Sequence, residues 1–148
     1  MGFFSWNCPC CGHSIRHKRA TVAKSAWLAQ AVVVFANGDR VSGEYSGYGE
    51  VGHAENLADA EGRFAMYHRA CWLLAGKPEF EKPSGHAQDQ GHFVGEYDPE
   101  EPKSLADCAS LKEAARAKRE EERRAWEKAR AEMRAEYLAR GEELPAWL

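Results

Sequence analysis

The feature that most constrains this chain is a cysteine cluster near its start. Residues 8–13 read C-P-C-C-G-H, and two further cysteines stand at Cys71 and Cys108. The total of five cysteines is odd, and the first residues lack the basic region and small-residue cleavage site of a secretory leader. These observations argue against a secreted disulfide framework and favour reduced thiols that bind a metal in the cytoplasm.

Cys8 and Cys11 form the first half of the predicted metal site. In the pattern C-P-x-C-G, the two-residue spacing lets both thiolates point to one side of a tight turn. Pro9 presets one backbone φ angle, and Gly12 can adopt the positive φ that turns backbone N–H groups toward the sulfurs. We therefore predict a zinc knuckle here, with Cys10 pointing away from the ion as a spare thiol.

The second half of the site is predicted at Y-H-R-A-C-W, where His68 and Cys71 have i,i+3 spacing. On the first turn of a helix this spacing places both side chains on one face. The two half-sites supply a tetrahedral set of four ligands, so the sequence predicts one structural Zn²⁺ ion held by Cys8, Cys11, His68 and Cys71. His13 is an alternative to His68, although its spacing suits a tetrahedron poorly. A redox C-x-x-C is disfavoured because no βαβ pattern surrounds it.

Hydrophobic patterning predicts a small antiparallel sheet. Residues 32–35 are apolar, and residues 40–45 alternate apolar and polar side chains. The intervening Asn37-Gly38 is typical of a tight turn in which both residues have positive φ, so we predict a β-hairpin. Residues 64–67 are predicted as a further short strand.

Two helices are predicted after these strands. Residues 68–75 are expected to form a short helix that ends at a Gly-Lys-Pro sequence. Residues 104–140 contain no glycine or proline and are rich in alanine and charged side chains, which predicts one long helix. The expected fold class is therefore α+β, with a zinc domain and loop-rich strap over residues 1–98 and a long charged helix within residues 99–148.

The order of a knuckle, a β-hairpin and a short helix that carries the last two ligands resembles the treble-clef zinc fingers. The stretch Y-H-R-A-C-W also looks like the H-x-x-C pairs of LIM-type modules. The resemblance covers residues 8 to 76 and implies a treble-clef topology around a structural zinc. The chain departs from compact fingers in the length of the segment between the half-sites, which is 56 residues.

A second resemblance concerns origin. The stretches G-F-F-S-W, G-E-Y-S-G-Y-G-E-V and C-W-x-L-A-G-K-P are similar to a group of small proteins encoded by tailed bacteriophages. The similarity spans most of the first 90 residues. It implies a bacteriophage origin and the bacterial host cytoplasm as the compartment, and it implies no particular chemistry.

The leading functional hypothesis is a non-enzymatic protein that binds a host or phage protein, as in host takeover or the blocking of host defence. Four protein ligands leave no coordination position for a substrate water, which disfavours hydrolysis at the zinc. The long helix carries Trp126, Met133 and Tyr137, and exposed aromatic side chains commonly mark a contact surface. Self-association through this helix is an alternative use of the same surface. We expect no membrane partner and no small-molecule substrate.

Two other functions are left open. Nucleic-acid binding would use a basic segment behind the knuckle, although the net charge of −3 does not favour a general nucleic-acid binder. The basic residues of this segment are Arg16, Lys18, Arg19 and Lys24. A treble-clef nuclease would need a second, catalytic metal. The candidates to hold it are His53, Glu55 and His92, and their spacing matches no established motif.

Overall fold

The computed structural model contains a three-stranded antiparallel sheet. The strands are β1 (Gln30–Phe35), β2 (Arg40–Glu44) and β3 (Phe64–His68), in the order β2-β1-β3. The central strand β1 is buried over residues 31–34, as its run of valines requires, whereas β2 alternates between exposed and half-buried side chains. An edge strand with one solvated face shows this alternation.

The structure describes residues 5–17, 19, 21, 23–52, 57, 63–85 and 99–148, with backbone alone at residues 23 and 24. A 3₁₀ helix, Ala23–Ala29, leads into β1. Two α-helices follow the sheet, α1 (Arg69–Leu74) and α2 (Leu105–Ala139). The described elements confirm the α+β class, while the treble-clef topology stays a prediction.

The predicted hairpin joins β1 to β2, but its turn differs from the expected one. Gly38 has a φ of 93°, whereas Asn37 does not adopt a positive φ. Phe35 N donates to the carbonyl of Asp39 at 2.8 Å, and Gly38 N donates to the carbonyl of Phe35 at 3.0 Å. This pattern belongs to a three-residue loop with a bulge at glycine. Asn37 acts through its side chain, whose Oδ1 accepts a hydrogen bond from Asp39 N at 2.9 Å.

The loop after β2 packs back onto that strand. Tyr45 forms an isolated antiparallel bridge with Val51, and both side chains are buried. The next residue, Gly52, has a φ of 56°, and a Cβ atom there would lie 2.8 Å from the carbonyl oxygen of Ser42. The close approach of two backbone segments therefore requires glycine at this position.

We expect Gly52→Ala to lower the free energy of unfolding by about 2–4 kcal/mol, because it adds both a left-handed backbone strain and a steric clash. Gly38→Ala is the matched control, since Gly38 also has a positive φ but has open space around its Cβ position. Urea denaturation of each variant measures both losses. Equal losses for the two variants would show that the Ser42 carbonyl contributes nothing.

The long helix α2 has well-defined ends. Ser104 Oγ accepts a hydrogen bond from Asp107 N at 3.1 Å, and Asp107 Oδ2 accepts one from Lys103 N at 2.9 Å. Together these two hydrogen bonds cap the helix N-terminus. At the other end Gly141, with a φ of 69°, closes the helix, and Glu142 N donates to the carbonyl of Tyr137 at 3.0 Å. The observed bounds lie one residue inside the predicted range of 104–140.

The chain divides into two compact units, Met1–Ala115 and Arg116–Leu148. The first unit thus includes the first turns of α2, whereas the sequence places the domain boundary at residue 98. Cys108 and Ala115, the buried residues of α2, both belong to this first unit. The absence of glycine and proline from α2 gives no sign of this boundary. The boundary follows from burial, because only the first turns of α2 contribute side chains to the first unit's core.

Candidate metal centre

The knuckle is a tight reversal of the backbone around Cys8–Cys11. Cys8 N donates to the carbonyl of His13 at 2.8 Å, and Gly12 N donates to the carbonyl of Cys8 at 2.9 Å. Gly12 has the expected positive φ, 74°. The backbone N–H of His13 donates to the Cys11 sulfur. The turn therefore directs a backbone dipole at a sulfur atom, as the C-P-x-C-G pattern predicts.

The second half-site lies at a junction between a strand and a helix. His68 is the last residue of β3 and has extended backbone angles, φ −63° and ψ 139°. Cys71 is the third residue of α1. The prediction that both residues lie on one helix is therefore wrong for His68. The pair still converges, because a strand that runs directly into a helix turns the chain sharply between the two side chains.

The structure brings Cys8, Cys11, His68 and Cys71 together in one buried cluster. Their four candidate ligand atoms all lie within 4.8 Å of one another, and the side chains are at most 1% exposed. Cys11 Sγ lies 3.3 Å from His68 Nδ1. In a tetrahedral zinc site, Zn–S bonds of ~2.3 Å and a Zn–N bond of ~2.0 Å place such ligand atoms about 3.5–3.8 Å apart. The cluster could therefore hold a metal ion.

Contacts outside the cluster orient the His68 ring. Its Nε2 lies 3.2 Å from the carbonyl oxygen of Ser14, to which a protonated Nε2 donates a hydrogen bond. The Trp27 ring packs edge-on against it at 4.7 Å between centroids, and Trp27 Nε1 donates to the carbonyl of Pro99 at 3.1 Å. Fixing the proton at Nε2 leaves the Nδ1 lone pair directed at the sulfurs, an arrangement typical of metal-binding histidines.

Electrostatics within the cluster favour a bound cation. Burial opposes ionisation of Cys8, but hydrogen bonds from Cys11 and Cys71 and the nearby His68 outweigh it and hold the pKa of Cys8 well below its usual value. Hydrogen bonds that Cys71 donates to neighbouring sulfurs, first to Cys10, raise its pKa. These shifts favour the thiolate form at Cys8 and the protonated form at Cys71. Three thiolates can coexist in this space only with a compensating positive charge.

Two cysteines lie in places that the sequence does not indicate. Cys10 is not part of the cluster of four, in line with the expectation, but its Sγ lies within 4.8 Å of those of Cys71 and Cys108. The sequence does not distinguish Cys108 from the apolar residues in the first turns of α2, since a free cysteine is often simply a small buried side chain. His13 is buried, yet it is not among the clustered candidate ligands of the described residues.

The other predicted site residues are only partly described. In the basic segment, Arg16 is half-buried and Arg19 is exposed, whereas Lys18 and the side chain of Lys24 lie outside the described residues. The candidate nuclease residues also lie outside them, and they are His53, Glu55 and His92. The described residues therefore contain no complete set of side chains for either nucleic-acid binding or nuclease activity.

The predicted contact residues of α2 differ in exposure. Trp126 is 58% exposed, while Met133 and Tyr137 are half-buried. Two of these three side chains make cation–π contacts with arginines. The Arg130 guanidinium lies 5.2 Å from the Trp126 ring centroid, and that of Arg140 lies 4.9 Å from the Tyr137 ring centroid. Trp126 thus offers the largest accessible surface of the three.

Comparisons with known proteins give no match: no family model matches the chain, and no curated protein or solved structure is significantly similar to it. Among the described residues, no helix has both the length and the apolar character needed to cross a membrane.

Proposed function

We propose that this chain is a zinc-stabilised, non-enzymatic protein that binds another protein through the second compact unit. The observation that carries the proposal is the buried cluster of Cys8, Cys11, His68 and Cys71. Four buried side chains fill a tetrahedral coordination shell and leave no site for a substrate or an activated water. A metal in this cluster serves to hold the knuckle against the sheet and α1.

The donor atoms favour zinc among common metals. Three thiolates and one imidazole are soft or borderline ligands, which exclude magnesium and calcium because those ions prefer oxygen. Zinc accepts a Cys₃His tetrahedron and has no redox chemistry of its own. The resemblance of the chain to treble-clef fingers supports the same ion.

The second unit supplies the proposed binding surface. Trp126, Met133 and Tyr137 follow one face of α2 by their i,i+7,i+11 spacing. Arg130 belongs to the same face, and its Nε donates to the carbonyl of Leu148 at 3.0 Å. The end of the chain therefore lies along this face and adds Trp147, which is 63% exposed, to the exposed Trp126. Accessible tryptophans of this kind are frequent anchors of protein interfaces.

The proposed setting is the bacterial host cytoplasm, with a host or phage protein as partner. The similarity of the first 90 residues to small tailed-bacteriophage proteins supports this setting. A small protein whose described residues form no catalytic constellation would act there by occupying a surface of another protein, as host takeover and the blocking of host defence require.

The test compares full-length, zinc-loaded baits in affinity capture from a bacterial lysate. Trp126→Ala removes the exposed anchor, and Arg134→Ala is the matched control because Arg134 is also exposed on α2. A specific partner, once purified, should bind the wild type and Arg134→Ala alike and bind Trp126→Ala about 10-fold or more weakly. A partner that binds both variants as tightly as the wild type would contradict the proposal. Self-association of the wild type that is lost in Trp126→Ala, measured by light scattering, would also contradict it.

A further inference from the structure

Cys10, Cys71 and Cys108 form a second sulfur cluster beside the first one. Their Sγ atoms all lie within 4.8 Å of one another, and the Sγ atoms of Cys71 and Cys108 are 4.0 Å apart. Cys71 and Cys108 are buried, while Cys10 is half-buried. Cys71 belongs to both clusters, so the two groups share one sulfur atom.

Three separate segments converge to form this second cluster. Cys10 comes from the knuckle turn, Cys71 from α1, and Cys108 from the start of α2. One turn further along α2, Lys112 Nζ donates to the carbonyl of Pro9 at 3.2 Å. The Lys112 side chain also lies 3.2 Å from the position of a Cβ on Gly12. These contacts hold Cys108 against the knuckle and place an ammonium group beside it.

We propose that Cys10, Cys71 and Cys108 bind a second zinc ion, with the Cys71 thiolate bridging the two metals. The proposal rests on zinc at the first cluster, because the two sites share Cys71. Sulfur atoms around a tetrahedral zinc are about 3.8 Å apart, since each Zn–S bond is ~2.3 Å. The 4.0 Å separation of Cys71 and Cys108 fits this geometry. Water completes the tetrahedron on the half-exposed side of Cys10.

The balance of charge favours a second cation over additional bare thiolates. One Zn²⁺ with three thiolates and a neutral imidazole carries a net charge of about −1. Two more thiolates would bring this charge to about −3 in a largely buried region, which is costly. A second Zn²⁺ returns the net charge to about −1, and the Lys112 ammonium beside the knuckle offsets the remainder.

Native mass spectrometry of the full chain, reduced and equilibrated with Zn²⁺, counts the bound ions directly. The wild type is expected to carry two zinc ions. Cys10→Ser and Cys108→Ser should each carry one, because serine removes a ligand of the second site and leaves the first intact. Near-UV circular dichroism should show that both variants keep the folded first unit.

The possible outcomes separate this proposal from the proposed function. A wild type that saturates at one zinc overturns the second site and leaves the first in place, whereas a wild type without zinc overturns both. Two zinc ions retained by either serine variant would also overturn the assignment of ligands. If Cys108→Ser fails to fold, the wild-type count and the half-exposed Cys10→Ser decide the question.

Discussion

Replacing Cys11 with serine is expected to leave the first compact unit unfolded and to abolish zinc binding at the first cluster. A serine hydroxyl stays protonated near neutral pH and is a poor zinc ligand, so the variant retains three of four ligands. The metal contributes about 10–16 kcal/mol in small zinc domains. Folded domains as a whole are stable by about 5–15 kcal/mol. Losing most of the metal's contribution is therefore comparable to the whole stability of a folded domain.

The neighbouring Cys10→Ser is the matched control for this variant. It makes the same chemical change one position away, but Cys10 is not part of the first cluster. Near-UV circular dichroism and zinc content should be lost in Cys11→Ser, while Cys10→Ser keeps a native spectrum and at least one zinc. A folded, metal-free Cys11→Ser protein would show that the sheet and its core suffice without an ion.

Removing the metal from the wild-type chain is expected to have an equally large effect. A strong chelator such as EDTA should unfold the first unit, because the buried sulfurs then lose the cation that compensates their charge. Added Zn²⁺ should restore the native near-UV spectrum, and Mg²⁺ at the same concentration should not, since it prefers oxygen ligands. A spectrum unchanged by EDTA after complete metal removal would refute a structural role for the ion.

Acid should reproduce the effect of the chelator. In the proposed zinc site the cysteines bind as thiolates and His68 as the neutral imidazole, so protons would compete with the metal and binding would release protons. The lowered pKa of Cys8 acts in the same direction. A group with a depressed pKa in the folded state stabilises it at higher pH and loses this contribution as pH falls. Zinc release followed by pH titration should therefore coincide with unfolding, and excess Zn²⁺ should move both to lower pH.

The first cluster is predictable from the sequence because each of its two half-sites is local. A C-x-x-C turn and a pair with i,i+3 spacing are set by a few neighbouring residues, so their geometry follows from backbone rules alone. The predicted secondary structure of His68 was wrong, because His68 ends β3 rather than beginning a helix. The strand pairing explains this difference, because His68 lies opposite Ala31 in the sheet and its backbone is held extended.

The hairpin also depends partly on local sequence and partly on tertiary packing. Asn37-Gly38 marks a turn correctly, since glycine there can adopt the left-handed conformation. The number of loop residues depends on the register of the two strands, in which Val34 is paired with Arg40. Register is set by which side chains of β1 are buried, and that depends on the rest of the core.

The cluster of Cys8, Cys11, His68 and Cys71, the hairpin and the long helix are all predictable from the sequence, because they depend on short-range spacing and on the absence of glycine and proline. Only the tertiary structure placed Cys10 and Cys108 beside Cys71. Their approach depends on where the first turns of α2 dock on the knuckle, through contacts such as that of Lys112 with Pro9. Such contacts join residues distant in the chain, and no local pattern encodes them.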